Sequence, residues 1–192
     1  MKKALFLFTV FFAFSLGANA QGLAVGAKME NFSLADISGK MQTLNSLKGS
    51  KGSVVIFVSS KCPVVGMYNE RINQIAADYN AKGINMIGIN SNVNENGEMV
   101  KTHAELTYKF PILIDKDSVF ADKLGATRTP EVYFIDSKNV LLYQGAIDND
   151  RTGKAVSEMY LRMAFEASLA GKKIEKTSVA AIGCTIKRAG DQ

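Results

Sequence analysis

Residues 54–58 (VVIFV) are a short unbroken apolar run of β-branched and aromatic side chains, a pattern that suits a strand buried on both faces. After the polar stretch Ser59-Ser60-Lys61 the period changes. Val65, Tyr68, Ile72, Ile75 and Tyr79 recur at spacings of three and four, which draws one apolar stripe along a helix. Pro63 suits the first helical position, where a missing N–H leaves no bond unmade. Lys82-Gly83 ends the helix and residues 84–89 form the next strand, so the segment predicts a β-α-β unit with a parallel pair.

Beyond it, residues 98–106 predict a second helix, 111–114 a short extended piece and 118–124 one or two helical turns. A strand over 132–135 starts directly after Thr129-Pro130, turns through Ser137-Lys138-Asn139 and pairs antiparallel with 140–143. Residues 155–170 predict a closing helix with Gly171 as its C-cap, followed by a tail over 171–192. Ahead of the core, Phe32-Ser33-Leu34 and Met41-Gln42-Thr43 flank a turn and predict a small hairpin. The order predicts an α/β domain: a mixed sheet with helices on both faces, an N-terminal hairpin extension and a C-terminal tail.

The start of the chain does not belong to this domain. Lys2 and Lys3 precede an uncharged apolar run over 4–16, and Ala18-Asn19-Ala20 offers small residues where a signal peptidase reads. The run is shorter than the ~20 residues a bilayer span needs. Residues 1–20 are therefore expected to be a signal peptide cleaved after Ala20. The expected product is a single domain over 21–192, periplasmic or secreted, with no integral membrane segment once the signal is removed. The length and an apolar fraction of 47% are enough for one ordinary core. Losing Lys2 and Lys3 lowers the formal charge from +5 to +3. Lys172, Lys173, Lys176, Lys187 and Arg188 thicken toward the C-terminus, which reads as a solvated tail. Without Trp, and without aromatic residues interleaved with basic ones, no nucleic-acid partner is expected.

Export permits disulfides, and the chain has two cysteines. Cys62 falls where the first strand hands over to its helix. A thiol there is easier to ionise, because the unsatisfied N–H groups of the first turn favour an anion. Ser59, three residues upstream, is expected to donate a further hydrogen bond to the sulfur. The competing reading is an inert, buried cysteine.

With these residues in place, the sequence resembles the exported redoxins of the alkyl hydroperoxide reductase/thiol-specific antioxidant group, within the thioredoxin superfamily. The resemblance covers nearly all of residues 21–192. It runs through Phe32-Ser33-Leu34-Ala35-Asp36, Ser60-Lys61-Cys62-Pro63, Tyr68-Asn69-Glu70-Arg71, Gly88-Ile89-Asn90-Ser91-Asn92, Gly125-Ala126-Thr127-Arg128-Thr129-Pro130-Glu131-Val132, Tyr143-Gln144-Gly145-Ala146-Ile147-Asp148 and Gly183-Cys184-Thr185-Ile186-Lys187. It implies a thioredoxin-like fold, a cis peptide before Pro130, a redox-active Cys62 and Cys184 as the second thiol. On that footing Cys62, Cys184 and Arg128 are the candidate catalytic residues, and Thr129, Pro130, Ser59 and Pro63 would shape the substrate site. Arg128 would stabilise the thiolate or hold a substrate oxygen; a plain surface arginine is the competing reading. No cofactor and no metal are implied.

The departures keep the reaction open. Thioredoxins carry a second Cys three residues after the first, where this chain has Val65, and a Trp before the first, where it has Lys61. Peroxiredoxins carry a Pro seven residues before their Cys, where this chain has Val55; their Ser or Thr three before it is matched by Ser59. The expected reaction is reduction of peroxides or disulfides through the Cys62 thiolate, with an external thiol as reductant. The alternatives are a disulfide reductase or isomerase of exported proteins, and a redox-inert binding module. Cys184 can resolve Cys62 reversibly, bridge it permanently, or act alone.

Weaker patterns add little. Asp148-Asn149-Asp150-Arg151-Thr152-Gly153 opens like a calcium loop, but its twelfth place is Met159, so a solvated turn is the better reading. His103, the single His, is expected to be exposed, and Tyr68 to be core.

Overall fold

The computed structural model describes residues 22–191; the predicted signal peptide and its cleavage point lie outside them. The centre is the expected β-α-β unit. Strand β3 (Gly52–Val58) leads into helix α2 (Pro63–Asn80) and returns as β4 (Ile84–Asn90), parallel to β3 in the register Val55↔Ile87. The preceding elements are the hairpin β1 (Ser33–Asp36) and β2 (Met41–Thr43), then a single turn, α1 (Leu44–Leu47). Next come α3 (Gly97–Thr107), β5 (Ile112–Ile114), a 3-10 turn (Lys116–Ser118), α4 (Val119–Leu124), β6 (Arg128–Thr129), β7 (Glu131–Asp136) and β8 (Leu141–Gly145). Helix α5 (Tyr160–Leu169) and two short strands, β9 (Ser178–Val179) and β10 (Cys184–Thr185), complete the order. The main sheet runs β2-β1-β5-β4-β3-β7-β8-β9, and β10 pairs separately with β6.

The unbroken apolar run of β3 is explained by a core on each side of it. Val54, Ile56 and Val58 face a cluster with the α2 stripe and with Leu161, Ala164 and Phe165 of α5. Val55 and Phe57 face a second cluster with Met29, Phe32, Leu44 and the α4 residues Phe120, Ala121 and Leu124. Alternate side chains of one strand thus feed both layers, as pleating requires. Edge-on aromatic pairs fill each layer, Tyr79 with Phe165 at 4.5 Å and Phe57 with Tyr133 at 5.8 Å between ring centroids.

Two expectations are corrected. The closing helix begins at Tyr160, not at residue 155, because Asn149 Oδ1 accepts the N–H groups of Ser157 and Glu158, both at 3.0 Å, and holds that segment as a loop. Its end is as expected. Gly171 at φ +65° carries the left-handed step, with Lys172 N–H reaching Ala167 O at 2.8 Å and Gly171 N–H reaching Ser168 O at 3.1 Å. The tail, in turn, is not a solvated appendage. β9 extends the sheet parallel to β8, where a Cβ on Gly145 would run into Val179 O, and Ile186 is fully buried in the second cluster. Its basic residues are partly engaged: Arg188 pairs with Asp122 at 2.6 Å and Lys176 with Glu158 at 2.7 Å.

Candidate redox site

Cys62 is the N-cap of α2, with Pro63 at the first helical position and the first turn closed by Gly66 N–H to Cys62 O at 3.2 Å. Its turn is tied down by a loop that follows β4. Ser59 Oγ accepts the N–H groups of Cys62 at 3.1 Å and Lys61 at 3.2 Å, and its own proton goes to Glu95 Oε1. Glu95 Oε2 accepts Ser60 N–H at 2.7 Å and Asn90 Nδ2 at 2.8 Å, while Lys61 Nζ reaches Asn94 O at 2.7 Å. The expectation that Ser59 donates to the sulfur is therefore corrected: the buried carboxylate takes that proton, and the hydroxyl oxygen organises the backbone that carries Cys62. Glu95 itself went unread in the sequence.

The peptide Thr129–Pro130 is cis. Thr129 O lies 3.3 Å from Cys62 Sγ, so the turn between β6 and β7 faces the helix N-terminus. The tail closes the third side. β10 lies antiparallel to β6 in the register Cys184↔Thr129 and Thr185↔Arg128, and Ile186 N–H continues it to Thr127 O at 3.0 Å. That register sets Cys184 against Cys62, and the two form a disulfide with Cα atoms 5.9 Å apart across 122 residues of sequence. The separation lies within the ordinary disulfide range. Gly183 is needed for this approach, since a Cβ there would collide with Thr129 O.

Arg128 turns elsewhere. Its guanidinium donates to Thr185 Oγ1 at 3.0 Å and Gly183 O at 3.5 Å, so it fastens β10 from the outside. On α2, Tyr68 is core, as expected, and its phenol donates to Asp148 at 3.0 Å; burial, reinforced by Asp148, pushes that phenol well above the usual tyrosine range. Arg71 pairs with the same carboxylate at 2.7 Å. The oxygens of the calcium-like segment are thus turned toward protein partners, and hydrogen bonds from Ala155 and Thr152 pull the Asp150 carboxyl down to about 2. Among the described residues, no group of three or more His, Cys, Asp or Glu side chains is placed to hold a metal ion. His103 is half-buried against the edge of the Tyr108 ring, rather than exposed, and burial lowers its pKa.

The AhpC/TSA family model matches residues 25–144, and the chain belongs to that family. Thiol-disulfide oxidoreductase ResA of Bacillus anthracis is 27% identical over 128 residues, 66% of this chain and 72% of that protein. Hypothetical protein SMc02350 of Sinorhizobium meliloti 1021 has a solved structure that superposes with a TM-score of 0.81 at 34% identity, covering 89% of this chain and 98% of that one. A putative thiol:disulfide interchange protein DsbE from Chlorobium tepidum shares the fold, with a TM-score of 0.64 at 21% identity over 77% of this chain and 99% of that one. The fold is thioredoxin-like, and the chain is a thiol oxidoreductase.

Proposed function

We propose that this AhpC/TSA-family chain is an exported thiol–disulfide oxidoreductase whose redox couple is Cys62 and Cys184. The observation that carries the reading is the bridge between a helix N-cap sulfur and a tail sulfur, made beside the cis Thr129–Pro130 turn. Val65 stands where a neighbouring second cysteine would be, and the tail supplies that thiol instead. A sulfur at the start of a helix is a good thiolate, both as nucleophile and as leaving group. In the reduced state one thiolate of the couple attacks a substrate disulfide and expels a thiolate. The other then attacks the mixed disulfide, restoring the Cys62–Cys184 bond and releasing the second substrate thiol. An external thiol reductant returns the two electrons. Pro130 and Thr129 border the substrate's approach, Ser59 and Pro63 hold the Cys62 turn, and Arg128 keeps β10 in register.

Export rests on residues 1–20 and accords with the Cys62–Cys184 bridge, because disulfides form and persist outside the cytoplasm. No helix among the described residues is long and apolar enough to cross a membrane. Peroxide reduction has less support: Val55 replaces the Pro of the peroxidase pattern, and Arg128 is already engaged by β10.

The test is a pair of single-turnover measurements on reduced protein, one with a disulfide-bonded substrate protein and one with hydrogen peroxide. Loss of two protein thiols to the disulfide, abolished in Cys62→Ser and Cys184→Ser, is the expected result. Faster oxidation by peroxide would move the assignment to a peroxidase, and inertness toward both would leave a redox-silent binding module.

A further inference from the structure

We propose that Cys184 is the sulfur that meets the redox partner, and that Cys62 is the sheltered leaving thiolate beneath it. This rests on the redox reading above and reverses the roles that the sequence alone suggests. Cys62 is 6% exposed and belongs to the main core cluster with Val58, Val65 and Val132, whereas Cys184 is only partly buried and packs against that cluster from outside. Thr185, which follows it, and Ile182, two residues before it, are exposed.

Thiol–disulfide exchange is an in-line displacement, with the incoming thiolate opposite the departing sulfur. Cys62 is buried within the main core cluster and its Sγ already has Thr129 O at 3.3 Å, which leaves an incoming thiolate little room to reach it. Cys184, partly buried at the margin of that cluster, is the more accessible of the two residues to such an attack. The chemistry favours the same direction, because the better-stabilised thiolate is the better leaving group and Cys62 is the one at a helix N-terminus.

The tail has the fastenings this role needs. Ile186 is fully buried, Arg188 donates to Asp122 at 2.6 Å and Ala126 O at 2.7 Å, and Lys187 N–H reaches Asn92 Oδ1 at 2.9 Å. None of these depends on the S–S bond, so Cys184 stays over Cys62 after that bond opens. In the step, a partner thiolate forms a new S–S bond to Cys184, the Cys62–Cys184 bond breaks, and its electron pair stays on Cys62 Sγ. A dithiol partner then finishes: its second thiolate attacks its own sulfur in the mixed disulfide, leaving as a disulfide while the Cys184 thiolate takes up a proton. Run in reverse, the path has Cys184 attack a partner's disulfide and Cys62 close the bridge.

The experiment uses the oxidised, unmutated protein. It is exposed briefly to excess glutathione, quenched with acid and N-ethylmaleimide, and digested with trypsin, which separates Cys62 (peptide 62–71) from Cys184 (peptide 177–187). Glutathione on Cys184 with N-ethylmaleimide on Cys62, in at least tenfold excess over the opposite pattern, is expected. Glutathione on Cys62 in equal or greater amount overturns the assignment and leaves the redox couple standing. An intact disulfide, inert to glutathione and to dithiothreitol alike, overturns the assignment together with the redox reading on which it rests.

Discussion

Glu95 accepts the hydroxyl proton of Ser59, and the oxygen of that hydroxyl accepts the Cys62 N–H at 3.1 Å. The carboxylate lies in a different loop, after β4, yet through one serine it holds the turn that presents the helix-start sulfur. Its other oxygen takes two more donors, from Ser60 and Asn90.

Glu95→Gln keeps the size but turns an NH2 group toward donors, leaving at least one buried donor unmatched. The expected cost is about 2–3 kcal/mol, read from urea denaturation of the oxidised protein, with slower re-formation of the Cys62–Cys184 bridge after reduction. Unchanged stability and unchanged re-oxidation would show the network to be dispensable.

Ile186 is the apolar anchor two residues beyond Cys184. Ile186→Ala should cost about 2–4 kcal/mol, the usual range for emptying a fully buried aliphatic site. It should also lower the effective concentration of Cys184 at Cys62, so that in a glutathione redox buffer the variant is more reduced than the parent. Equal reduced fractions would mean that the backbone pairing of β10 places Cys184 without this side chain.

Closing a loop of 122 residues restricts the unfolded chain strongly, by about 4.7 kcal/mol for a hundred-residue loop in the chain-entropy model. Dithiothreitol should therefore lower unfolding stability by about 2–5 kcal/mol. Urea curves recorded with and without reductant measure the difference, with far-UV dichroism of the starting states confirming that the fold survives.

All six tyrosines have phenols shifted upward, with burial the leading cause at Tyr68, Tyr79, Tyr108, Tyr133 and Tyr143 and the Glu158 hydrogen bond at Tyr160. Tyr79 is pushed up to about 12, also by its bond to Glu166. The folded state thus keeps protons that the unfolded state releases near pH 10. Stability is fully present below pH 10 and falls as pH rises from about 10 to 12. Absorbance at 295 nm, undisturbed by Trp, should show little phenolate in native protein at pH 10 and a cooperative rise on alkaline unfolding. Simple titration of six tyrosines around pH 10 with the fold intact would refute this.

The central elements were legible because their patterns are local. The run over 54–58 and the stripe from Val65 to Tyr79 each carry a period that only one kind of element satisfies, and both were found where expected. Ser59 shows where locality ends: a hydroxyl both donates and accepts, so spacing placed it near Cys62 without saying which way its proton points. Glu95 sits in an Asn-rich loop with no periodicity, and its partners are 35 and 36 residues upstream, apart from Asn90. The tail was misread because β9 and β10 are two residues each, too short to show alternation, and because one buried Ile among lysines looks like chance. The start of α5 was misread because Asn149 competes for N–H groups that the apolar pattern assigns to the helix.

The two sulfurs come from opposite ends of synthesis. A growing polypeptide contains Cys62 and all of α2 long before its codon for Cys184 is read, because 122 positions separate them. Until then the earlier cysteine is a solitary thiol, open to pairing with any other chain or with a small-molecule thiol. Molecules cut short before that codon would hold the helix-start sulfur and never its mate, so the couple exists only in chains extended past Cys184.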